Sequence, residues 1–141
     1  MNFQKQDPPP DISKHAAEEK RIVEEYKNRK EQIPKARYSL FSPSNLLIVQ
    51  QRERLLLSLL RNSGLSQLDQ QKILDLGCGT GFWVREFIQW GAQPDSLYGV
   101  DLLEERITEA QKKCPDETHL HTGTASSIQY PDQFFDIVLQ A

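Results

Sequence analysis

An α/β fold with a parallel sheet follows from three features of this chain. Short apolar runs recur at 73–76, 96–102, 118–122 and 134–139. Helix-length segments stand between the first three of them. Three glycines at alternate positions, Gly77, Gly79 and Gly81, come directly after the first run. Parallel strands cannot be joined by a tight hairpin, so strands spaced by helix-length segments read as right-handed crossovers.

The chain of 141 residues suits one modest domain. It is 38% hydrophobic and 26% charged, as ordinary globular sequences are. A net charge of −3 offers no electrostatic case for nucleic acid or for an anionic membrane. No apolar stretch approaches the roughly 20 residues that span a bilayer, and Met1–Asp7 has no secretory core. Cys78 and Cys114 match no metal or redox spacing, so the expectation is two reduced thiols in a cytoplasmic protein.

Taken in order, residues 1–10 are polar, end in three prolines and read as an extended or disordered lead. Asp11 or Ser13 then caps a helix to about Gln32, stopped by Pro34. Its apolar face is thin, and Glu25 and Arg29 have i,i+4 spacing. A stronger helix starts at Ser42-Pro43, with serine as cap and proline in the first turn. Leu46, Leu47, Val49, Leu55, Leu56, Leu59 and Leu60 predict a wide buried side, closed by Gly64. These segments make residues 11–70 an N-terminal helical region, followed by a domain over 71–141. Within that domain the sequence predicts a strand at 73–76, a helix at 82–90 closed by Gly91, and a strand at 96–102. A helix at 104–113, a strand at 118–122 and a fourth strand at 134–139 follow.

The chemistry concentrates at the first turn. Gly77, Gly79 and Gly81 let the backbone leave ordinary L-residue angles and bring main-chain groups close to a ligand. That ligand would lie at the start of the next helix, where free N–H groups favour anionic groups. Asp75 stands two positions ahead of Gly77, and Asp101 ends the second strand 20 positions beyond Gly81. An acid placed there accepts from both hydroxyls of a ribose, and Leu102 beside it borders an apolar slot. The pattern is G-x-G-x-G, because Phe82 stands where a dinucleotide fold has its third glycine. A nucleoside-like cofactor is the reading.

Asp75-Leu-Gly-Cys-Gly-Thr-Gly81, Gly99-Val-Asp-Leu102, Gly123-Thr-Ala125 and Phe135-Asp-Ile-Val-Leu139 resemble, in order and spacing, the successive signatures of class I S-adenosylmethionine-dependent methyltransferases. The resemblance covers about residues 72 to 141 and implies a Rossmann-like, doubly wound sheet of order 3-2-1-4. It implies S-adenosyl-L-methionine as cofactor, with the methionine portion held by the turn, Cys78 included, and Asp75 near its amino group. Asp101 would hold the ribose, and Leu102, Thr124 and Ala125 the adenine. Gln140 falls where the family turns the methyl group toward the acceptor. The third signature departs from the usual Gly-Asp-Ala: Thr124 replaces the acid, so adenine recognition leans on the Ala125 backbone and Ile128, with Ser126 or Ser127 in support. A sulfonium methyl is already activated, so alignment and exclusion of water suffice, and the sequence offers no evident general base.

Other residues read more plainly. His119 and His121, two apart on a strand, form a polar outer face with Leu120 turned inward, rather than a metal site. Trp83, Phe87 and Trp90 form a helical stripe that packs on the sheet. Tyr38 and Phe41 either cover the cofactor or pack locally. The nearly continuous apolar run at 134–139 has the texture of a strand covered on both faces. With order 3-2-1-4 that strand is a sheet edge, inviting self-association or a missing C-terminal half. A small-molecule acceptor is favoured over nucleic acid by the mild acidity. A non-catalytic adenosylmethionine-binding module and a nicotinamide-dependent oxidoreductase are the alternatives; Phe82 and Asp75 speak against the latter.

Overall fold

A computed structural model describes residues 12–32 and 38–141. The expected lead at 1–10, the cap at Asp11 and the stop at Pro34 lie outside the described residues. Tertiary contacts divide the chain between Tyr38 and Ser39.

The first unit contains helix α1, Ile12–Gln32. Its described surface is charged, and Arg21 bridges Glu18 and Glu25 at one-turn spacing. Arg29, expected to pair with Glu25, has a side chain outside the described residues.

The second unit begins with α2, Pro43–Asn62, which has Pro43 in its first turn and Ser42 as N-cap. Ser42 makes no side-chain capping bond, so proline's fixed φ and the extended Ser42 backbone start the helix. At the other end Gly64, at φ +77, turns the chain, and the Leu65 N–H donates to the Leu60 carbonyl. A sheet follows, formed by β1 (Ile73–Leu76), β2 (Leu97–Asp101), β3 (His119–Thr122) and β4 (Ile137–Gln140). Its strands are all parallel, as the crossovers predict, in the order β3-β2-β1-β4 that the resemblance implies. Helices α3 (Phe82–Gln89) and α4 (Glu104–Lys113) make the first two crossovers.

Period two and the register together fix the faces. Ile73 lies beside Leu97 and Ile137, and Asp75 beside Gly99 and Leu139. Ile73, Leu97 and Leu120 of the sheet join Val84 and Phe87 of α3, Ile107 and Ala110 of α4, and Leu60 and Leu68 in one core. Phe87, Ile73 and Ala110 are wholly buried. The tryptophans flanking Phe87, Trp83 and Trp90, lean on this core as the stripe predicts.

Three expectations differ. The compact unit begins at Ser39, not at 71, because α2 and its connector bury Leu60 and Leu68 in the core of the sheet. The wide buried side of α2 is reduced to its last turns: Leu60 is buried and Leu56 partly so. Leu46, Leu47, Leu55 and Leu59 are exposed, since the helix meets the sheet only near its C-terminal end. The fourth strand starts at Ile137, later than the expected 134. Phe134 and Phe135 instead pack edge to face with each other and with Tyr98, and Phe134 stacks on Tyr130 while the Lys72 ammonium sits over the Phe134 ring, 4.3 Å from its centroid. Nor is β4 covered on both faces: Val138 is 56% exposed.

Candidate functional site

The predicted site residues converge at the carboxyl end of the sheet. Leu76, the residue before the glycine turn, is in register with Val100 on one side and Gln140 on the other, and Asp101 is in register with Thr122. The glycine turn, Asp101, Gly123–Ala125 and Gln140 therefore line one edge, where open parallel sheets bind ligands.

The turn is held from below. The Gly77 and Cys78 N–H groups both donate to the Val100 carbonyl, at 2.8 and 3.1 Å. The Gly79 N–H donates to Oδ2 of Asp101 at 2.9 Å, and the Gly81 N–H to the Cys78 carbonyl at 2.9 Å. These four amides are therefore engaged within the protein, so any free N–H groups for an anion belong to the start of the next helix and not to the turn. Three of the four fasten the turn to strand β2, and the fourth closes the turn on itself.

All three glycines adopt positive φ, at +77, +55 and +76. They differ in what surrounds them. A Cβ on Gly77 would meet nothing within 4 Å, and one on Gly79 only the Arg106 guanidinium at 4.0 Å. One on Gly81 would stand 2.6 Å from Cys114 Sγ and 3.3 Å from Ala110 Cβ. Gly77 and Gly79 thus leave open room beside the backbone for a ligand, whereas Gly81 lets α3 approach α4. Gly99 plays the same packing role under the turn, where its Cβ would lie 2.7 Å from Leu120 and 2.9 Å from Cys78 Sγ. The Cys78 side chain is accordingly 5% exposed and directed into the core. Burial, with the Asp75 and Asp101 carboxylates nearby, pushes its thiol up to about 12.

Asp75 and Asp101 share a face of neighbouring strands by register and parity. Both are buried, at 2% and 6%. Asp101 is well satisfied: besides Gly79, the Leu103 N–H donates to its Oδ1 at 2.9 Å. Asp75 is the opposite case, since neither of its oxygens has a hydrogen-bond partner among the described residues. Burial first, and then the Asp101 charge, raise its pKa from 3.8 to about 7. An orphaned carboxylate beside a second carboxylate, next to open space at Gly77 and Gly79, is a site electrostatically suited to a cation.

Farther along the edge, the Thr124 hydroxyl shares a 2.8 Å hydrogen bond with Ser126. Leu102 is half-buried, and Ala125 opens a short 3-10 turn, Ala125–Ser127. Gln140 is exposed at the end of β4. Phe41 is fully exposed and Tyr38 is 63% exposed. The His119 ring meets the Asp95 carbonyl at 3.0 Å and stacks on Tyr98, and Leu120 is buried, as the alternation predicts. No group of three or more metal-ligating side chains occurs among the described residues. No described helix is long and apolar enough to cross a membrane. Sequence reasoning missed the packing roles of Gly99 and Cys114 and the bond from the Leu103 amide, because each acts through a contact that the motif itself does not contain.

Residues 73–141 match the family described as methyltransferase domain. A biotin biosynthesis bifunctional protein, BioHC, from Teredinibacter turnerae is 31% identical over 75 residues, which are 47% of this chain and 13% of that protein. Among solved structures, the YcgJ protein from Bacillus subtilis superposes with a TM-score of 0.52 at 24% identity, over 64% of this chain and 37% of that one. Magnesium protoporphyrin IX methyltransferase from Synechocystis, with S-adenosylmethionine bound, gives 0.50 at 24%, over 64% and 43%. These structural likenesses establish the fold, and the chain spans less than half the length of each of these proteins. Residues 73–141 thus match a methyltransferase domain, and their sheet order β3-β2-β1-β4 is the one that the resemblance to class I S-adenosylmethionine-dependent methyltransferases implies.

Proposed function

We propose that this chain binds S-adenosyl-L-methionine at the carboxyl end of β1 and β2 and serves methyl transfer to a small-molecule acceptor. The observation that carries the proposal is Asp75, a buried carboxylate with no partner among the described residues, beside open space at Gly77 and Gly79. A ligand bearing an ammonium and a sulfonium supplies a cation that this pocket favours, whereas a dinucleotide pyrophosphate would meet two carboxylates and a turn with its amides engaged.

In this reading Asp75 orients the amino group, and the backbone of Gly77, Cys78 and Gly79 borders the methionine portion. Gly81 acts behind them by letting α3 pack. The remaining lone pairs of Asp101 accept from the ribose while the carboxylate keeps its hold on Gly79 and Leu103. Leu102, Thr124 and Ala125 flank the adenine, with Thr124 already oriented by Ser126. Gln140 faces the acceptor side. When bound, the cofactor supplies a methyl group on a positively charged sulfur, ready for in-line attack. The protein's part is to hold that carbon toward the acceptor and keep water away. The outer edge of β4 has no strand partner among the described residues, and the proposal places a further strand there, from the same polypeptide or another copy.

Calorimetric titration with S-adenosylmethionine, S-adenosylhomocysteine and NAD tests the reading. Binding of the first two and not of NAD is expected. Preference for NAD would overturn it, and cofactor binding without transfer to any acceptor by the full-length protein would reduce it to a binding module.

A further inference from the structure

A cavity of about 410 Å³ lies far from the cofactor crevice, between α2, the connector after it and the end of α3. Its apolar lining includes Leu57, Leu65, Leu68 and Trp90, and its polar lining includes Arg54 and Arg61. Leu65 and Leu68 precede β1, and Trp90 follows α3, so the cavity sits at the amino end of the sheet. The glycine turn is at the other end of both elements, about 13 Å away along four strand residues.

The arginines are seven positions apart on α2 and therefore share a face. That helix carries three arginines, Arg52, Arg54 and Arg61, against one acid, Glu53. The helical neighbours of Arg54 and Arg61 at three and four positions are Gln50, Gln51, Leu57 and Ser58, none of them acidic. Neither arginine enters an ion pair among the described residues, whose bridges lie on α1 and α4. No acid among the described residues lines the cavity. Its size falls in the range of small-ligand pockets, about 300–1,000 Å³.

We propose that this cavity is a second ligand site, for an amphiphilic carboxylate with an unbranched or aromatic apolar body. The body lies against the leucines and Trp90, and the carboxylate is held by Arg54 and Arg61, with Ser58 and Ser66 as further donors. Trp90 makes the site self-reporting. Titrating the protein with octanoate, decanoate and decanol, below their aggregation limits, should give a saturable change in tryptophan emission for the carboxylates. Decanoate should bind more tightly than octanoate by about fifteenfold, two buried methylenes at about 0.8 kcal/mol each. Decanol should bind at least about tenfold more weakly than decanoate, as should decanoate to the Arg54→Gln/Arg61→Gln variant. Both substitutions are on the helix surface, and neither should alter S-adenosylmethionine affinity, since the sites are at opposite ends of the sheet. Equal binding of decanoate and decanol, or unchanged decanoate affinity in the double variant, would overturn the proposal. So would a Trp90 environment that responds to protein concentration and not to carboxylate, which would make the cavity a contact between copies.

Discussion

Replacing Asp75 by asparagine should make the ligand-free protein's stability insensitive to pH where the wild type's is not. The carboxylate is 2% exposed, has no partner among the described residues, and holds its proton to about 7, against 3.8 for an ordinary aspartate. Between those values the unfolded chain has lost the proton and the folded chain has kept it. The unfolded state therefore binds fewer protons, and stability falls as pH rises. One proton corresponds to about 1.4 kcal/mol per pH unit, so between pH 5 and pH 8 the wild type loses about 3 kcal/mol through this group, levelling off above pH 7. Asparagine at this position would be isosteric and has no charge to desolvate. The difference between the two proteins should widen by about 3 kcal/mol across that window, with the variant the more stable at pH 8. Urea unfolding followed by circular dichroism at pH 5, 6, 7 and 8 measures this directly. Parallel pH profiles for the two proteins would refute the reasoning, because the ionised Asp75 would then be no burden to the fold. The same linkage makes cofactor affinity rise with pH. A cation that selects the ionised form should bind up to about tenfold more tightly per unit between pH 5 and 7, and the asparagine variant should show no such trend.

Asp101→Ala should weaken S-adenosylmethionine binding by about 1–3 kcal/mol and also destabilise the ligand-free fold, because the Gly79 and Leu103 amides lose their acceptor; calorimetry and thermal unfolding separate the two effects. Gly81→Ala should cost about 2–4 kcal/mol, combining positive φ with overlap at Cys114, whereas Gly77→Ala, with nearly the same φ and open space, should cost about 1–2. Denaturant midpoints of the two variants test that ordering. Cys78, with its thiol pushed up to about 12, should resist iodoacetamide in the folded protein at pH 8, and mass spectrometry would show labelling only on unfolding.

Much of this protein could be read from its residues in order. The alternation of apolar runs with helix-length segments determined a parallel sheet, and the spacing from Gly81 to Asp101 brought the two acids to one end of it, because both signals are local and periodic. Even the helix ends at Pro43, Gly64 and Gly91 follow from single residues with restricted or permissive φ. What could not be read is whatever depends on a neighbour from elsewhere in the chain. The apolar repeat of α2 is the same whether a leucine is covered or not, and only tertiary packing left Leu46, Leu55 and Leu59 in solvent. Three alternating glycines look equivalent in sequence, yet Cys114, 33 positions on, makes Gly81 a packing residue while Gly77 and Gly79 border open space. Likewise nothing in the motif foretells that the turn commits its amides to Val100 and Asp101, or that Asp75 is left without a partner among the described residues. Sequence determined which elements form and in what order. The folded structure decided which of their groups are already satisfied, and the proposed preference of the crevice for a cation rests on the carboxylate left without a partner among the described residues.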